Sequence, residues 1–375
     1  MHQQFLDTKY MHMALRLAKR AKGLTSPNPM VGAVVVKDDT VISRGYHQRA
    51  GSSHAEVLAL QKAGTKAKGA TLYVTLEPCT HTDKRTPPCA PFIVESGIKR
   101  IVVAMIDPNP KVSGKGIEML LAAGIDVATG ICETEARRLN EAFIKHISTG
   151  MPFVTLKIAQ TLDGKIATAS GESKWITGEP ARLEGYRLRH ENDAVMVGIN
   201  TILADNPLLT ARVRHGRDPI PVVVDTHLRT PVDARILSRE RQVRTIIATV
   251  KTAPGRKIRQ LKGAGAEVLL VKSSHGRVEM KDLMKKLGAL GVMSVLIEGG
   301  SKINASALAA GIVDKAILFI APMFMTGSEA LSCIGGPSPR KLYKAIKLDA
   351  IRYREVGQDL MIEGYIAHKS PKDIS

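Results

Sequence analysis

A chain of 375 residues, 44% of them apolar, is long enough for two domains with their own cores, which excludes an intrinsically disordered polypeptide. Four cysteines at this length exclude a disulfide scaffold and fit a reducing cytoplasm. The net charge of +19 is spread along the chain: residues 1–150 carry 20 basic and 13 acidic side chains, and the remainder 34 and 22.

Apolar spacing predicts an amphipathic helix over 8–22, with Met11, Ala14, Leu15 and Ala18 on one face. Ser26-Pro27-Asn28-Pro29 is a turn-rich loop. Strands over 31–37 and 41–47 flank a turn at Asp38-Asp39. A helix follows over 54–63, a strand over 71–76, a helix over 89–96 and a strand over 100–106. A helix over 114–123 and a strand over 125–128 complete an alternating α/β pattern. Met1 to Tyr10 lacks the apolar core of a signal peptide, and no apolar run approaches a membrane span.

The alternation starts afresh after Gly150-Met151-Pro152, so His146 to Pro152 is the expected linker. The domains are drawn at 1–147 and 152–368. Strands are expected at 153–159, 194–197, 221–225, 244–249, 267–271, 293–298 and 315–320, and helices at 179–191, 280–290 and 303–310. The polar tail from His368 is expected to fray. The two halves share no motif, so the chain is not an internal repeat.

The densest chemical signal is His54-Ala55-Glu56, followed by Pro78-Cys79 and then Cys89. One imidazole and two thiolates can hold a zinc ion and leave its fourth position open. His54 and Cys89 should open helices, and a helix N-terminus favours a thiolate. Zinc lowers the pKa of bound water to about 7. Glu56, two residues from the imidazole, would take the water's proton and pass it to a leaving amine. This is the ligand logic of zinc-dependent deaminases. The alternatives are a structural zinc site or ordinary buried thiols. Nine residues separate Cys79 from Cys89, unlike the Cys-x-x-Cys of nucleic-acid editors. Cys132 and Cys333 read as buried structural thiols.

Thr25-Ser26-Pro27-Asn28-Pro29-x-Val31-Gly32, His54-Ala55-Glu56, Glu77-Pro78-Cys79 and Thr86-Pro87-Pro88-Cys89 together resemble the deaminase half of the bifunctional riboflavin-biosynthesis deaminase/reductases. The resemblance implies a cytidine-deaminase-like three-layer α/β domain. It also implies that Asn28 and His81 help bind the pyrimidine or its ribose phosphate. The chain departs from the family pattern in an 80–88 loop longer by one residue and lacking a glycine, in Leu58 where a second histidine is frequent, and in Ser52-Ser53.

In the second half, Lys157 precedes a turn at Asp163-Gly164 and could meet an anionic or carbonyl group. Trp175, the only tryptophan, lies beside small and hydroxylated residues and reads either as a cofactor neighbour or as a core residue. Arg189 and Arg212, the latter closing Asp205-Asn206-Pro207-x-Leu209-Thr210-x-Arg212, suit a phosphate or a solvated face. Thr226 ends a strand. Glu298-Gly299-Gly300-Ser301 is a glycine turn between strand and helix, where backbone N–H groups can approach a pyrophosphate.

Jointly these segments resemble the reductase half of the same family, which implies a dihydrofolate-reductase-like α/β domain using NADPH. By that resemblance Ala159, Trp175, Thr201, Asp205, Thr226 and the stretch Gly300, Ser301, Lys302, Ile303, Asn304, Ala305 and Ser306 fall at cofactor positions. Lys157, Ser173, Arg189, Leu209, Arg212 and Glu298 fall at substrate positions. The implied enzyme removes the 2-amino group of 2,5-diamino-6-ribosylamino-4(3H)-pyrimidinone 5′-phosphate, then reduces the ribosyl chain of 5-amino-6-(5-phosphoribosylamino)uracil to ribityl. One zinc per deaminase domain and NADPH are the expected cofactors. A phosphorylated pyrimidine is the expected small-molecule partner, and the spread basic charge suits it. At 4% aromatic, the chain is poor in base-stacking side chains, so no nucleic acid is expected. No membrane partner is expected, and a homo-oligomer is. The rival readings are a nucleic-acid or nucleoside deaminase with a basic accessory domain, and a zinc-stabilised binding protein without turnover.

Overall fold

Residues 2–80, 87–238 and 243–367 are described by a computed structural model of the chain. The chain divides into two units, Met1–Gly150 and Met151–Ser375. The polar tail from His368 lies outside the described residues.

The first unit runs α1 (His2–Ala18), β1 (Gly32–Lys37), β2 (Thr40–Tyr46), α2 (Ala55–Ala63), β3 (Thr71–Val74), α3 (Cys89–Glu95), β4 (Arg100–Val103), α4 (Lys115–Ala122), β5 (Asp126–Thr129), α5 (Glu133–Leu139) and α6 (Glu141–Thr149). Its sheet has the order β2-β1-β3-β4-β5. β1 is antiparallel to β2 and β3, while β3, β4 and β5 are parallel. Asp38 and Asp39 make the tight turn of the β1–β2 hairpin with φ of 48° and 53°, values that short acidic side chains tolerate.

Two glycines fix the layering. A Cβ on Gly32 would stand 2.0 Å from the Ala14 carbonyl oxygen of α1. A Cβ on Gly45 would stand 2.3 Å from the Ala55 carbonyl oxygen of α2. Gly45 pairs with Ala33, and adjacent strand residues face opposite sides. So α1 covers one face of the sheet and α2 the other, giving the expected three layers.

α1 starts at His2 rather than at residue 8, and it passes at Ala18 into a 3-10 turn, Lys19–Ala21. Its polar first turns are tied by side-chain bonds: Gln3 donates to Asp7 at 3.0 Å, and Thr8 to the Gln4 carbonyl at 2.9 Å. The apolar stripe alone does not reveal those bonds.

The second unit runs β6 (Phe153–Thr161), β7 (Lys165–Ala167), α7 (Glu179–Glu191), β8 (Ala194–Gly198), α8 (Ile199–Asp205), β9 (Ile220–Val224), β10 (Thr245–Val250), α9 (Gly255–Gly263), β11 (Ala266–Val271), β12 (Ser273–Ser274), β13 (Arg277–Val278), α10 (Met280–Ala289), β14 (Ser294–Ile297), α11 (Ser301–Ala309), β15 (Lys315–Ala321), β16 (Leu331–Ser332), β17 (Leu348–Val356) and β18 (Asp359–Ile366). Nine strands form one sheet in the order β11-β10-β9-β8-β14-β6-β15-β18-β17. It is parallel from β11 to β15, and the β17–β18 hairpin adds an antiparallel edge. Both faces are buried, so the central strands are almost continuously apolar. Val195, Val197, Val223 and Ile247 pack on one side, and Ala194, Met196, Val222 and Ile246 on the other.

The sequence-based expectations omitted α5, α6, α8 and α9, the short strands β7, β12, β13 and β16, and the edge hairpin β17–β18. α9 buries only Leu261, and β17 is exposed from residue 349 to 355. β17 therefore carries no core-facing stripe, and α9 offers one fully buried residue in a largely charged segment.

One buried ion pair pins the first unit. Asp7, 4% exposed, accepts from Arg100 at 2.8 and 2.9 Å and from the Tyr73 hydroxyl at 2.9 Å. Burial acts to raise the Asp7 carboxyl, but the bonds from Arg100, Gln3 and Tyr73 outweigh it and hold it below the usual range. A lowered carboxylate contributes stability that is complete above its unfolded value and is lost as pH falls through the folded one. Asp7→Ala should therefore cost the first unit about 3 kcal/mol in urea unfolding at pH 7 followed by circular dichroism. The gap to wild type should narrow below about pH 4; a gap that is small at pH 7 would contradict this account.

Candidate functional site

In the first unit, His54 is the residue before α2, Cys89 opens α3, and Cys79 follows β3. His54 Nδ1 lies 2.9 Å from Cys89 Sγ and 3.6 Å from Cys79 Sγ. All three donor atoms lie within 4.8 Å of one another. Bonds of about 2.1 Å to nitrogen and 2.3 Å to sulfur put the ligand atoms of a tetrahedral zinc about 3.5 Å apart. The donor set and spacing therefore fit zinc, with one coordination position left over. The Ala90 N–H donates to the Cys79 carbonyl at 3.1 Å, which ties the start of α3 to the strand end.

Glu56 sits in the first turn of α2 and is 4% exposed. Burial raises its carboxyl, against the pull of the neighbouring His54. The hydrogen bond with Cys79 and burial push the Cys89 thiol well up. A bound cation inverts that preference and deprotonates a coordinating thiol.

Three supports were not evident from the motifs. Glu77 accepts backbone N–H bonds from Asp107 at 3.1 Å, Gly114 at 3.0 Å, Gly116 at 2.9 Å and Ile117 at 3.4 Å. A Cβ on Gly116 would stand 2.1 Å from the Pro78 carbonyl, so the 107–117 loop packs directly on the stretch that presents Cys79. His47 packs edge-on to His54 at 5.5 Å and lies 3.1 Å from the Asn28 amide. Asn28 is thereby linked to the metal-ligand cluster. Asn140 grips both the N–H and the carbonyl of Met30, at 2.8 and 3.0 Å, and braces the Asn28 loop. A lone histidine after a strand or an asparagine between helices gives little signal in sequence. His81 and the other residues of 81–86 lie outside the described residues. Cys132 and Cys333 are half-buried at the margins of the two cores, not fully buried as expected, because each sits where a chain segment leaves its core.

In the second unit, Glu298 directly follows β14 and Arg189 lies in the last turn of α7. Glu298 accepts from Arg189 at 2.7 and 2.9 Å, with Lys157 Nζ at 3.8 Å. Burial acts against the Glu298 charge, but Arg189 and Lys157 overcome it and hold the carboxyl down to about 2. Lys157 lies within β6 rather than at a strand end, because that strand continues to Thr161. Arg189 also donates to the Thr210 carbonyl at 3.1 Å. Arg212 donates to the Tyr186 hydroxyl at 2.9 Å and lies over its ring at 5.0 Å. Leu209 is buried, and both it and Arg212 have positive φ, 57° and 52°. Ser173 is half-buried in the loop before α7.

A cavity of about 500 Å³ opens at the carboxyl ends of β8 and β9 and the start of α11. Thr201, Thr226, Gly300, Ser301, Lys302, Ile303 and Ser306 line it. A Cβ on Gly299 would stand 1.8 Å from Ile303 Cγ2, whereas one on Gly300 would meet open space. The backbone can thus approach a ligand at Gly300, where the first N–H groups of α11 lack intrahelical acceptors. These features fit a dinucleotide phosphate.

Ala159, Trp175, Asp205, Asn304 and Ala305 do not line that cavity. Ala159 pairs with Phe319 across β6 and β15. Trp175 is 64% exposed, which excludes a core role, and the Arg182 guanidinium covers it at 4.6 Å. Asp205 pairs with Lys174 at 3.3 Å, tying α8 to the Trp175 loop. Asn304 is buried and donates to the Cys333 carbonyl at 2.9 Å. Ala305 faces Gly336.

Residues 5–105 match the model of the cytidine and deoxycytidylate deaminase zinc-binding region, and residues 152–362 that of the RibD C-terminal domain. The chain is 48% identical over 358 residues to the riboflavin biosynthesis protein RibD of Aquifex aeolicus, covering 95% of this chain and 98% of that one. It is 39% identical over 378 residues to RibD of Escherichia coli, covering 95% and 98%. Among solved structures, Acinetobacter baumannii RibD superposes with a TM-score of 0.87 at 39% identity, covering 97% of this chain and 100% of that one. A diaminohydroxyphosphoribosylaminopyrimidine deaminase/5-amino-6-(5-phosphoribosylamino)uracil reductase from Thermotoga maritima superposes at 0.85 with 35% identity, covering 98% and 100%. The two units thus have the cytidine-deaminase-like and reductase folds expected of them. Matched along nearly its whole length in sequence and in structure, the chain belongs to the RibD family of bifunctional riboflavin-biosynthesis deaminase/reductases.

Proposed function

We propose that the two activities of the family divide along this chain, the deaminase in residues 1–147 and the reductase in 152–368. The observation that carries this reading is the buried Glu56 beside the His54, Cys79 and Cys89 cluster. In the first step, water adds to C2 of 2,5-diamino-6-ribosylamino-4(3H)-pyrimidinone 5′-phosphate, and the C2–NH2 bond breaks to release ammonia. His54, Cys79 and Cys89 hold zinc, which when bound makes water nucleophilic near neutral pH. Glu56 takes the proton of the attacking water and returns it to the departing amine. A carboxyl raised by burial is suited to both transfers. Asn28, held through His47, and His81 orient the pyrimidine and its ribose phosphate.

In the second step, NADPH supplies the hydride that reduces the ribosyl chain to ribityl. Thr201, Thr226, Gly300, Ser301, Lys302, Ile303 and Ser306 hold the cofactor, whereas Ala159, Trp175, Asp205, Asn304 and Ala305 lie outside the cavity that receives it. Lys157, Ser173, Arg189, Leu209 and Arg212 receive the phosphorylated substrate. Glu298 keeps its charge across the working pH range, so it acts as a fixed anion that orients Arg189 and Lys157 rather than as a proton donor.

Further readings concern the setting. The use of Cys79 and Cys89 as metal ligands rather than as a disulfide supports a cytoplasmic location. The chain acts on small molecules, without nucleic acid as a partner, and among the described residues no helix is long and apolar enough to cross a membrane. It forms a homo-oligomer through the β17 edge, where Ile351 and Tyr353 are 57% and 79% exposed.

Glu56→Gln should lower ammonia release by at least about a hundredfold while the zinc content stays at one per chain; retained release would remove Glu56 from the mechanism. Stripping zinc with a chelator should abolish ammonia release yet leave NADPH oxidation on the deaminated substrate unchanged. Loss of both would contradict the division of labour. Tyr353→Lys should shift the sedimentation coefficient toward that of a single chain, and an unchanged coefficient would rule out the β17 edge.

A further inference from the structure

The cavity beside α11 carries a charge pattern that hydride chemistry does not require. Its walls are apolar at Ile199, Val224, Val278 and Met280. Its rim carries Arg229, Arg277 and Lys302. The one carboxylate among its lining residues, Asp225, is fully buried, and its Oδ2 accepts from the Thr230 N–H at 2.8 Å and hydroxyl at 2.7 Å. That oxygen closes the turn, while the buried Oδ1 has no hydrogen-bond partner among the described residues. Among the described residues, none of the three rim cations has a carboxylate partner.

The cations are also pre-positioned. The bonds to Asp225 Oδ2 and from the Leu228 N–H to the Asp225 carbonyl close the turn that carries Arg229. Arg229 Nη2 donates to Asn200 Oδ1 at 3.0 Å, a neutral partner that orients the guanidinium without neutralising it. Arg277 stands on β13, whose next residue, Val278, donates its N–H to Thr226 Oγ1 at 3.4 Å. Thr226 is held in turn by the Thr249 hydroxyl on its carbonyl at 3.0 Å. Two guanidinium groups from separate elements thus border one apolar slot.

We propose that Arg229 and Arg277 read the 2′-phosphate of the cofactor's adenosine ribose and so set the preference for NADPH over NADH. The inference rests on the reading that this cavity holds the cofactor. A phosphate monoester carries a charge near −2 at pH 7, and a guanidinium meets it with paired N–H donors. The 5′-diphosphate is common to both dinucleotides and is served by the N-terminal turn of α11, so the rim arginines are free to discriminate.

Binding without turnover tests this. NADPH, NADH, adenosine 2′,5′-bisphosphate and AMP are titrated calorimetrically into the full-length, zinc-loaded protein and into Arg229→Ser, Arg277→Ser and the double variant. NADPH and the bisphosphate should weaken by about tenfold or more in each single variant and further in the double one, whereas NADH and AMP stay within about twofold. The NADH titration doubles as the folding control. Equal weakening of both dinucleotides would assign the arginines to the diphosphate and overturn the inference, as would no change in either. Thr226→Trp, which fills the slot, should abolish binding of both dinucleotides. If it leaves both intact, the assignment of the cavity fails, whatever the arginines do.

Discussion

The first site depends on a close approach of helix to sheet. Gly45 lets the opening turn of α2 come down on the β1–β2 hairpin, with the Ala55 carbonyl where any side chain would collide. That contact sets the height of His54, Ala55 and Glu56 above the sheet. β3 delivers Cys79 to the same level, and the start of α3 brings Cys89 beside it. A residue larger than glycine would lift the imidazole away from the two sulfurs, so the donor cluster follows from backbone packing as much as from its ligands.

The second site is organised by charge rather than by contact. Glu298 draws Arg189 from α7 and Lys157 from β6 toward the end of β14. Breaking such a pair on one side leaves an uncompensated charge, which is far costlier than removing both partners. Beside it, α11 starts on two glycines with different duties. Gly299 makes room for Ile303, and Gly300 leaves the approach to the helix N-terminus open. The ion-pair cluster and the helix start are adjacent because β14 ends in one and leads into the other.

The parts of the sites that were legible in sequence are those built from neighbours in the chain. His54-Ala55-Glu56 specifies a helix start, a candidate ligand and a carboxylate within one turn, and the structure brings His54 together with Cys79 and Cys89. The glycine pair at 299 and 300 was legible for the same reason. Glu77 stands in the Glu77-Pro78-Cys79 motif, but its role as a backbone acceptor is not legible there, because its partners lie 30 to 40 residues further on. The pairing of Arg189 with Glu298 spans 109 residues and needs the sheet order to bring it about. β17 escaped notice because it is solvated on both faces, and hydrophobic periodicity has nothing to register on such a strand. α5 and α6 went unread, although α6 buries Phe143 and sets Ile144 against the core, because each helix is only seven to nine residues long.

Trp175 gives the chain an unusual optical asymmetry. It is the only tryptophan, it is solvent-exposed, and it belongs to the second unit. Tryptophan emission therefore reports on the reductase half alone, with the Arg182 guanidinium as its immediate quencher or shield. The deaminase half has no tryptophan, and its tyrosines, Tyr10, Tyr46 and Tyr73, emit at shorter wavelength. Cobalt in place of zinc would lend it thiolate charge-transfer bands from Cys79 and Cys89. The two halves of one polypeptide can thus be watched separately in a single cuvette, without a label on either.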